Sequence, residues 1–118
     1  MIIDESNYED FLRGRNQTLD CTSKGITEIR YLPNYIESLY CHDNKITSLP
    51  KLPDGLKKLI CHQNRLSSLP EIPDTLVILY CSMNPKLLGG GVYRKNNEYI
   101  QEYYNKLLIK DKLKEFLL

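Results

Sequence analysis

The chain has 118 residues, of which 42% are hydrophobic and 26% charged, a composition that fits one folded domain and excludes a disordered polyelectrolyte. Its formal net charge of +1 gives no field that would gather nucleic acid or anionic lipid. No apolar run approaches the roughly 18 residues that span a bilayer, and the N-terminus lacks the basic and apolar regions of a secretory signal. We therefore expect a cytoplasmic protein that binds neither nucleic acid nor membrane.

The first element predicted along the chain is a short helix over residues 6–13. It opens with Ser6-Asn7-Tyr8-Glu9, which has the form of a capping box, and its aromatic and leucine side chains fall on one helical face. Gly14 follows as a helix stop. We expect residues 1–18 to form an N-terminal helical cap that packs on the segment after it.

From residue 19 the sequence repeats with a period of 20 residues. Each copy carries one cysteine at the same place, and the four are Cys21, Cys41, Cys61 and Cys81. Around each cysteine, apolar residues alternate with residues of other types, which predicts a short strand with one buried face. A unit this short cannot bury its own apolar face, so successive copies must stack. We interpret residues 19–88 as about three and a half stacked copies with parallel strands.

An asparagine follows each of the last three cysteines by three residues, at Asn44, Asn64 and Asn84. We expect these side chains to point inward and to satisfy amides and carbonyls of the turn after each strand. Further along, Leu49-Pro50-Lys51-Leu52-Pro53 and its next copy place two prolines three residues apart. Because proline is incompatible with a helix interior, the return side is predicted to be extended rather than helical.

The repeats end at Gly89-Gly90-Gly91, and apolar residues at helical spacing follow from Ile100 to Leu117. Asn96 or Asn97 can cap this helix, and a bend is predicted near residues 110–112. We interpret residues 89–118 as a Gly-rich linker and a C-terminal helical cap, which could also reach a second protomer or a partner.

The fold class predicted is an α/β solenoid with parallel strands on its concave side, an extended Pro-rich convex side and helical caps at both ends.

The phrase L-x-x-L-x-C-x-x-N-x-L-x-x-L-P-x-L-P resembles the shortest, LPX-type class of leucine-rich repeats, and the resemblance covers Leu19 to Leu87. It implies a leucine-rich-repeat solenoid. Such repeats occur in secreted effectors of Gram-negative pathogens, and cysteine-bearing versions occur in proteins of giant DNA viruses of amoebae, which this chain resembles more closely. Some effectors carry a ubiquitin-ligase domain with a catalytic cysteine after the repeats. No cysteine follows Cys81, so that activity is not carried over. The viral resemblance implies a location in the host cytoplasm.

Four cysteines and two histidines raise the question of a zinc site or of disulfides. Zinc needs four converging ligands, whereas one cysteine per strand spreads the sulfurs along a line with neighbours about 5 Å apart. Adjacent strand residues face opposite ways, so His42 and His62 point away from the cysteines. Disulfides between copies would disturb the packed interior. We expect buried, reduced cysteines, with no metal, no cofactor and no catalytic residue.

The outward strand residues differ between copies while the inward residues do not. Tyr40, Ile60 and Tyr80 form an apolar stripe with hydroxyls, the kind of anchor enriched in protein interfaces, although both residue types also favour strands. The predicted partner-binding residues are Tyr40, Ile60, Tyr80, His42, His62, Lys58, Ile78, Asp43, Gln63 and Met83.

The expected function is non-catalytic protein–protein recognition through this concave face, by a monomer or a weak homodimer whose protein partner the sequence does not identify. The alternative is a structural or self-assembly component, for example of a virus particle. Such a component would associate through its strand edge or its C-terminal helix.

Overall fold

The structure, a computed structural model, describes residues 1–87 and 90–94. The described residues form short strands and one turn of 3-10 helix, with no α-helix among them. The elements in chain order are β1 (Ile2–Ile3), the 3-10 helix (Tyr8–Phe11), β2 (Leu12–Arg13), β3 (Thr18–Asp20), β4 (Glu28–Ile29), β5 (Ser38–Tyr40), β6 (Lys58–Ile60), β7 (Ile78–Tyr80) and β8 (Val92–Arg94). The predicted C-terminal helix lies outside the described residues. Within the described part of the chain, no helix has the length and apolar character needed to cross a membrane.

Six strands form one open sheet in the order β2-β3-β5-β6-β7-β8. The four central strands are parallel and come from successive copies of the repeat. They pair with a shift of one period, so that Leu19 lies opposite Leu39, Leu39 opposite Leu59, and Leu59 opposite Leu79. The predicted parallel pairing is confirmed. Because the shift equals the repeat, every position of the repeat forms a column that runs across the sheet.

The core is built from these columns. The leucine column and the cysteine column of the strands are buried at every copy, and Ile26, Ile46 and Leu66 form a third buried column after the turn. Burying each leucine or isoleucine of these columns stabilises the fold by about 2 kcal/mol. The inward position of the cysteines is confirmed. Burial raises the pKa of Cys21 to about 12, with a further contribution from Asp20, and it raises the pKa of Cys41 as well.

The asparagine column joins neighbouring copies, as the sequence predicts. Asn64 Oδ1 accepts from the Ile46 amide at 3.0 Å, and its Nδ2 donates to the carbonyls of Cys41 at 2.9 Å and Cys61 at 3.1 Å. Asn84 makes the equivalent bonds one copy later. Each asparagine therefore satisfies buried backbone groups of its own copy and of the copy before it.

The residue before each asparagine adopts a left-handed conformation that the sequence pattern did not predict. Asp43, Gln63 and Met83 have φ of 56°, 54° and 54°, and Ser23 has 54° in the first copy. None of these is glycine, the residue that adopts this conformation most readily. The sharp turn after the strand therefore depends on the asparagine bonds and the buried column after it.

Over residues 49–57 and 69–77, which carry the proline pairs, the return side is neither helix nor strand, and this confirms that the proline pairs exclude a helix there. In the first copy, β4 lies on the return side and pairs in parallel with β1. The return side closes with a turn in which the Leu56 amide donates to the Pro53 carbonyl at 3.1 Å, and the Leu76 amide donates to the Pro73 carbonyl at the same distance. The turn brings the chain back into the next strand.

The predicted N-terminal helix over residues 6–13 is wrong. The helical part is a single 3-10 turn, and the chain then enters β2, which pairs antiparallel with β3. The polar side chains that suggested a capping box bond locally instead. Asn7 Oδ1 accepts from the Asp4 amide at 2.9 Å, and Ser6 Oγ donates to Asp4 Oδ1. These bonds stabilise a turn that competes with helix initiation.

Both outer strands of the sheet run antiparallel to the four central ones. At the first copy β2 pairs with β3, and at the last copy β8 pairs with β7. Residues 92–94, which the sequence places in a Gly-rich linker, therefore form a strand. The Cys81 amide donates to the Gly91 carbonyl at 2.7 Å and continues this pairing beyond the strand.

Candidate functional site

The outward side of the parallel strands is the surface on which the sequence places the binding residues. We call it the strand face. Its residues are Ser38, Lys58, Ile78, Asp20, Tyr40, Ile60, Tyr80, Thr22, His42, His62 and Ser82. They alternate with the buried leucines and cysteines, so the repeat fixes both their direction and their spacing.

Tyr40, Ile60 and Tyr80 lie in register on three adjacent strands, as predicted. The two tyrosines are half-buried. The prediction that Ile60 is a contact residue needs correction, because its exposed fraction is only 8%. Its large neighbours stand one strand away on both sides and shield it from solvent. Tyrosine side chains thus form the surface of this row, and Ile60 supports them.

His42 and His62 form the next row, and their rings stack with centroids 4.4 Å apart and planes inclined by 16°. The His62 ring also approaches Tyr80, at 6.4 Å between centroids. Within the described residues, the Nδ1 atoms of both histidines are buried and have no hydrogen-bond partner. Burial lowers the pKa of His62, the neighbouring His42 lowers it further, and the Asp43 carboxylate opposes both. His62 is therefore favoured in its neutral form.

Two carboxylates border the histidines and are held by hydroxyl groups. Asp20 Oδ1 accepts from the Thr22 hydroxyl at 2.7 Å and from the Thr22 amide at 3.1 Å. Burial alone would raise the pKa of Asp20, but these two bonds outweigh it and the pKa is lowered. Asp43 Oδ2 accepts from the Ser23 hydroxyl of the preceding copy at 2.6 Å. Both acids therefore have fixed orientations.

Comparison with known proteins does not identify the chain. A scan of protein-family models, a search of curated proteins and a search of solved structures each found no match. The geometry of the strand face therefore carries the functional argument.

The remaining predicted residues divide between the face and its border. Lys58 is exposed and Ile78 is half-buried, and both lie on strands of the face. Asp43, Gln63 and Met83 instead occupy the left-handed turn after the strands, because the chain has already begun to reverse there. Met83 is 66% exposed. These three residues form a rim of the face rather than part of the sheet.

The strand face and the cysteines lie on opposite sides of the sheet. The four thiols are buried and free, which separates them from the histidines that follow them in sequence. Among the described residues, no group of three or more histidine, cysteine, aspartate or glutamate side chains is placed to hold a metal ion. The arrangement offers aromatic, hydroxyl and imidazole groups for contact with another molecule.

Sequence reasoning did not single out two features of the structure. One is the stacking of the histidines, which their identical repeat phase could have indicated. The other is a set of exposed cations within or next to the turn that follows each parallel strand, which we call the basic edge. Its members are Lys24, Lys45, Arg65 and Lys86. The signal for it was a basic residue beside the same turn in every copy.

Proposed function

We propose that the chain is a short leucine-rich-repeat solenoid that acts as a non-catalytic binding module, with a protein partner docked on the strand face. The one-period register of the parallel strands, the asparagine column and the non-helical return side support this fold. In the proposed solenoid, the N-terminal cap is a 3-10 turn followed by an antiparallel strand. The resemblance to giant-virus proteins supports a role in the host cytoplasm.

The observation that carries the binding proposal is the pair of adjacent rows of tyrosine and imidazole side chains on the strand face. Tyr40 and Tyr80 flank the buried Ile60, and the stacked His42 and His62 lie beside them. Tyrosine is enriched at interfaces because it provides a large contact area and a hydroxyl at low entropic cost. Strands hold these side chains in place, so a partner would not have to order them.

A non-catalytic role agrees with the chemistry of the thiols. Burial, followed by the neighbouring cysteines, raises the pKa of Cys41, and its side chain is inaccessible. A thiolate nucleophile requires a lowered pKa and access to substrate. The cysteines therefore support the proposed core, and recognition is assigned to the opposite side of the sheet.

The experiment compares Y40A/Y80A with wild type in a quantitative pull-down from cells of the source or its host. We expect the double variant to lose the captured partner while it keeps a cooperative thermal transition. Tyr35→Ala is the matched control, because Tyr35 is 49% exposed and lies outside the strand face. Retention of the partner by Y40A/Y80A, or equal loss in the Tyr35→Ala control, would remove the proposal.

The alternative is a self-assembly component that associates through a strand edge. It has less support, because β2 and β8 already pair with the outermost parallel strands. The strand at the first edge has two residues, and such short edges are poor templates for further pairing. Light scattering over a range of concentrations separates the two functions, since assembly predicts oligomers without a partner.

A further inference from the structure

The basic edge is a second exposed surface, distinct from the strand face. Its four cations occur once per copy, and all four residues are exposed. Within residues 1–87 and 90–94, the ion pairs are Arg30 with Glu28 at 3.1 Å and Lys57 with Glu37 at 3.3 Å. Neither pair involves a residue of the basic edge, so its charges are not neutralised within the described part of the chain.

Backbone bonds hold the central cations of this edge on adjacent turns. The Lys45 amide donates to the Ile26 carbonyl at 2.9 Å, and the Arg65 amide donates to the Ile46 carbonyl at 2.9 Å. Successive copies are therefore separated by about one strand spacing, roughly 4.8 Å. Like charges at this spacing repel each other, and the fold gains nothing from their alignment.

The acidic residues nearest in sequence to this edge are already engaged. The Asp43 carboxylate accepts the Ser23 hydroxyl, and Glu28 forms an ion pair with Arg30. Three other carboxylates, those of Asp54, Glu71 and Asp74, line a cavity of about 300 Å³ on the return side together with Lys51. Among the described residues, the cations of the basic edge therefore have no ion-pair partner.

We infer that the basic edge docks an extended acidic segment of a partner protein. Lysine and arginine on successive copies would face carboxylates along such a segment, and the neighbouring Thr47 and Ser67 hydroxyls are exposed and can bond to them. A single-stranded nucleic acid fits less well, because residues 45–48 and 65–68 include no aromatic side chain on which a base could stack. This inference goes beyond the proposed function and does not depend on the strand face.

The test measures the affinity of a labelled oligoglutamate peptide for the whole chain at low salt. We expect K45E/R65E to weaken binding by about tenfold or more, because it reverses both central charges. The matched control is R15E/K51E, which makes the same change in net charge at an exposed arginine and an exposed lysine outside both surfaces. It should bind the peptide within about twofold of wild type. An equal loss in the control would overturn the inference, since net charge alone would then explain binding.

Further measurements keep the inference falsifiable and separate it from the proposed function. In wild-type protein, NMR shifts on peptide addition should concentrate at the amides of Lys45, Thr47, Arg65 and Ser67. The absence of peptide binding, or shifts located elsewhere, would overturn it. So would tighter binding of oligothymidylate than of the peptide, or concentration-dependent self-association that K45E/R65E abolishes. Y40A/Y80A should keep its affinity for the peptide, so the proposals for the strand face and for the basic edge can be refuted separately.

Discussion

His42 and His62 stack at 4.4 Å although each would repel the other if both were protonated. Protonation would also turn the buried Nδ1 atoms into donors, and the described residues offer them no acceptor. Burial lowers the pKa of His62 below its ordinary value of 6.5, and His42 adds to this effect. The folded state therefore favours neutral His62, and protonation of His62 opposes folding.

We predict that mild acid destabilises the protein through protonation of His62. A basic group with a lowered folded-state pKa binds protons more readily in the unfolded state. The stability that neutral His62 contributes is therefore fully present above pH 6.5. It is lost as the pH falls through this value towards the folded-state pKa of His62. Urea unfolding of wild type and His62→Asn between about pH 7.5 and pH 5 measures the effect. The variant should show a smaller pH slope.

The Asp20 carboxylate does not contribute to the pH dependence in this range. The bonds from Thr22 lower the pKa of Asp20, so it stays ionised throughout this pH window. Equal pH slopes in wild type and His62→Asn, or a wild-type stability that increases in acid, would contradict the prediction.

At the scale of elements, the asparagine column explains how neighbouring copies are held together. Asn64 is 5% exposed and bonds to the backbone of two copies, including the Ile46 amide and the Cys41 carbonyl. A buried backbone group that loses its partner costs about 1–3 kcal/mol. The column therefore contributes as much to the stacking of copies as a buried apolar side chain.

We predict that Asn64→Ala lowers the free energy of unfolding by about 3 kcal/mol or more, since it leaves several buried groups without partners. Chemical denaturation monitored by circular dichroism measures the change. Ser48→Ala is the control at an exposed position and should cost less than about 0.5 kcal/mol. A loss below about 1 kcal/mol for Asn64→Ala would show that water or backbone movement replaces these bonds.

The elements that the sequence predicted correctly are those that the repeat itself determines. The 20-residue period determines the parallel register, the inward position of the cysteines and the role of Asn64, because each copy packs against its neighbours in the same way. The N-terminal helix was wrong because Asn7 and Ser6 bond to a local turn, a competition that sequence patterns do not resolve. The strand at residues 92–94 lies outside the repeat, so the period does not predict it. Its pairing with the free edge of β7 is seen in the structure alone.

The sequence predicted which residues of the candidate site share a row, but it did not predict how exposed each of them is. The repeat phase brought Tyr40 and Tyr80 into one row, but alternation alone placed Ile60 on the surface when its neighbours bury it. Met83 was assigned to the face because it lies between the core positions of the repeat. Met83 has a left-handed conformation within a turn, and a residue other than glycine gives little sign of such a turn in the sequence.

At the scale of the whole molecule, each central strand is hydrogen-bonded to its immediate neighbours in the sheet order β2-β3-β5-β6-β7-β8. The stability of such an array is approximately a sum of copy and interface contributions. Removal of one complete copy should therefore remove one copy and one interface without disturbing the others. The antiparallel strands β2 and β8 would still pair with the two ends.

We predict that deletion of residues 41–60, one full period, leaves a folded protein. The deletion joins Tyr40 to Cys61, which keeps the repeat phase and the alternation of the strand. We expect a cooperative thermal transition at a lower temperature than in wild type, since one interface is lost. Deletion of residues 46–55 is the control. It removes half a period, joins Lys45 to Leu56 and eliminates the return side, so that the chain cannot reach the next strand. Calorimetry should show no transition for this control, whereas equal unfolding of both deletions would exclude a modular array.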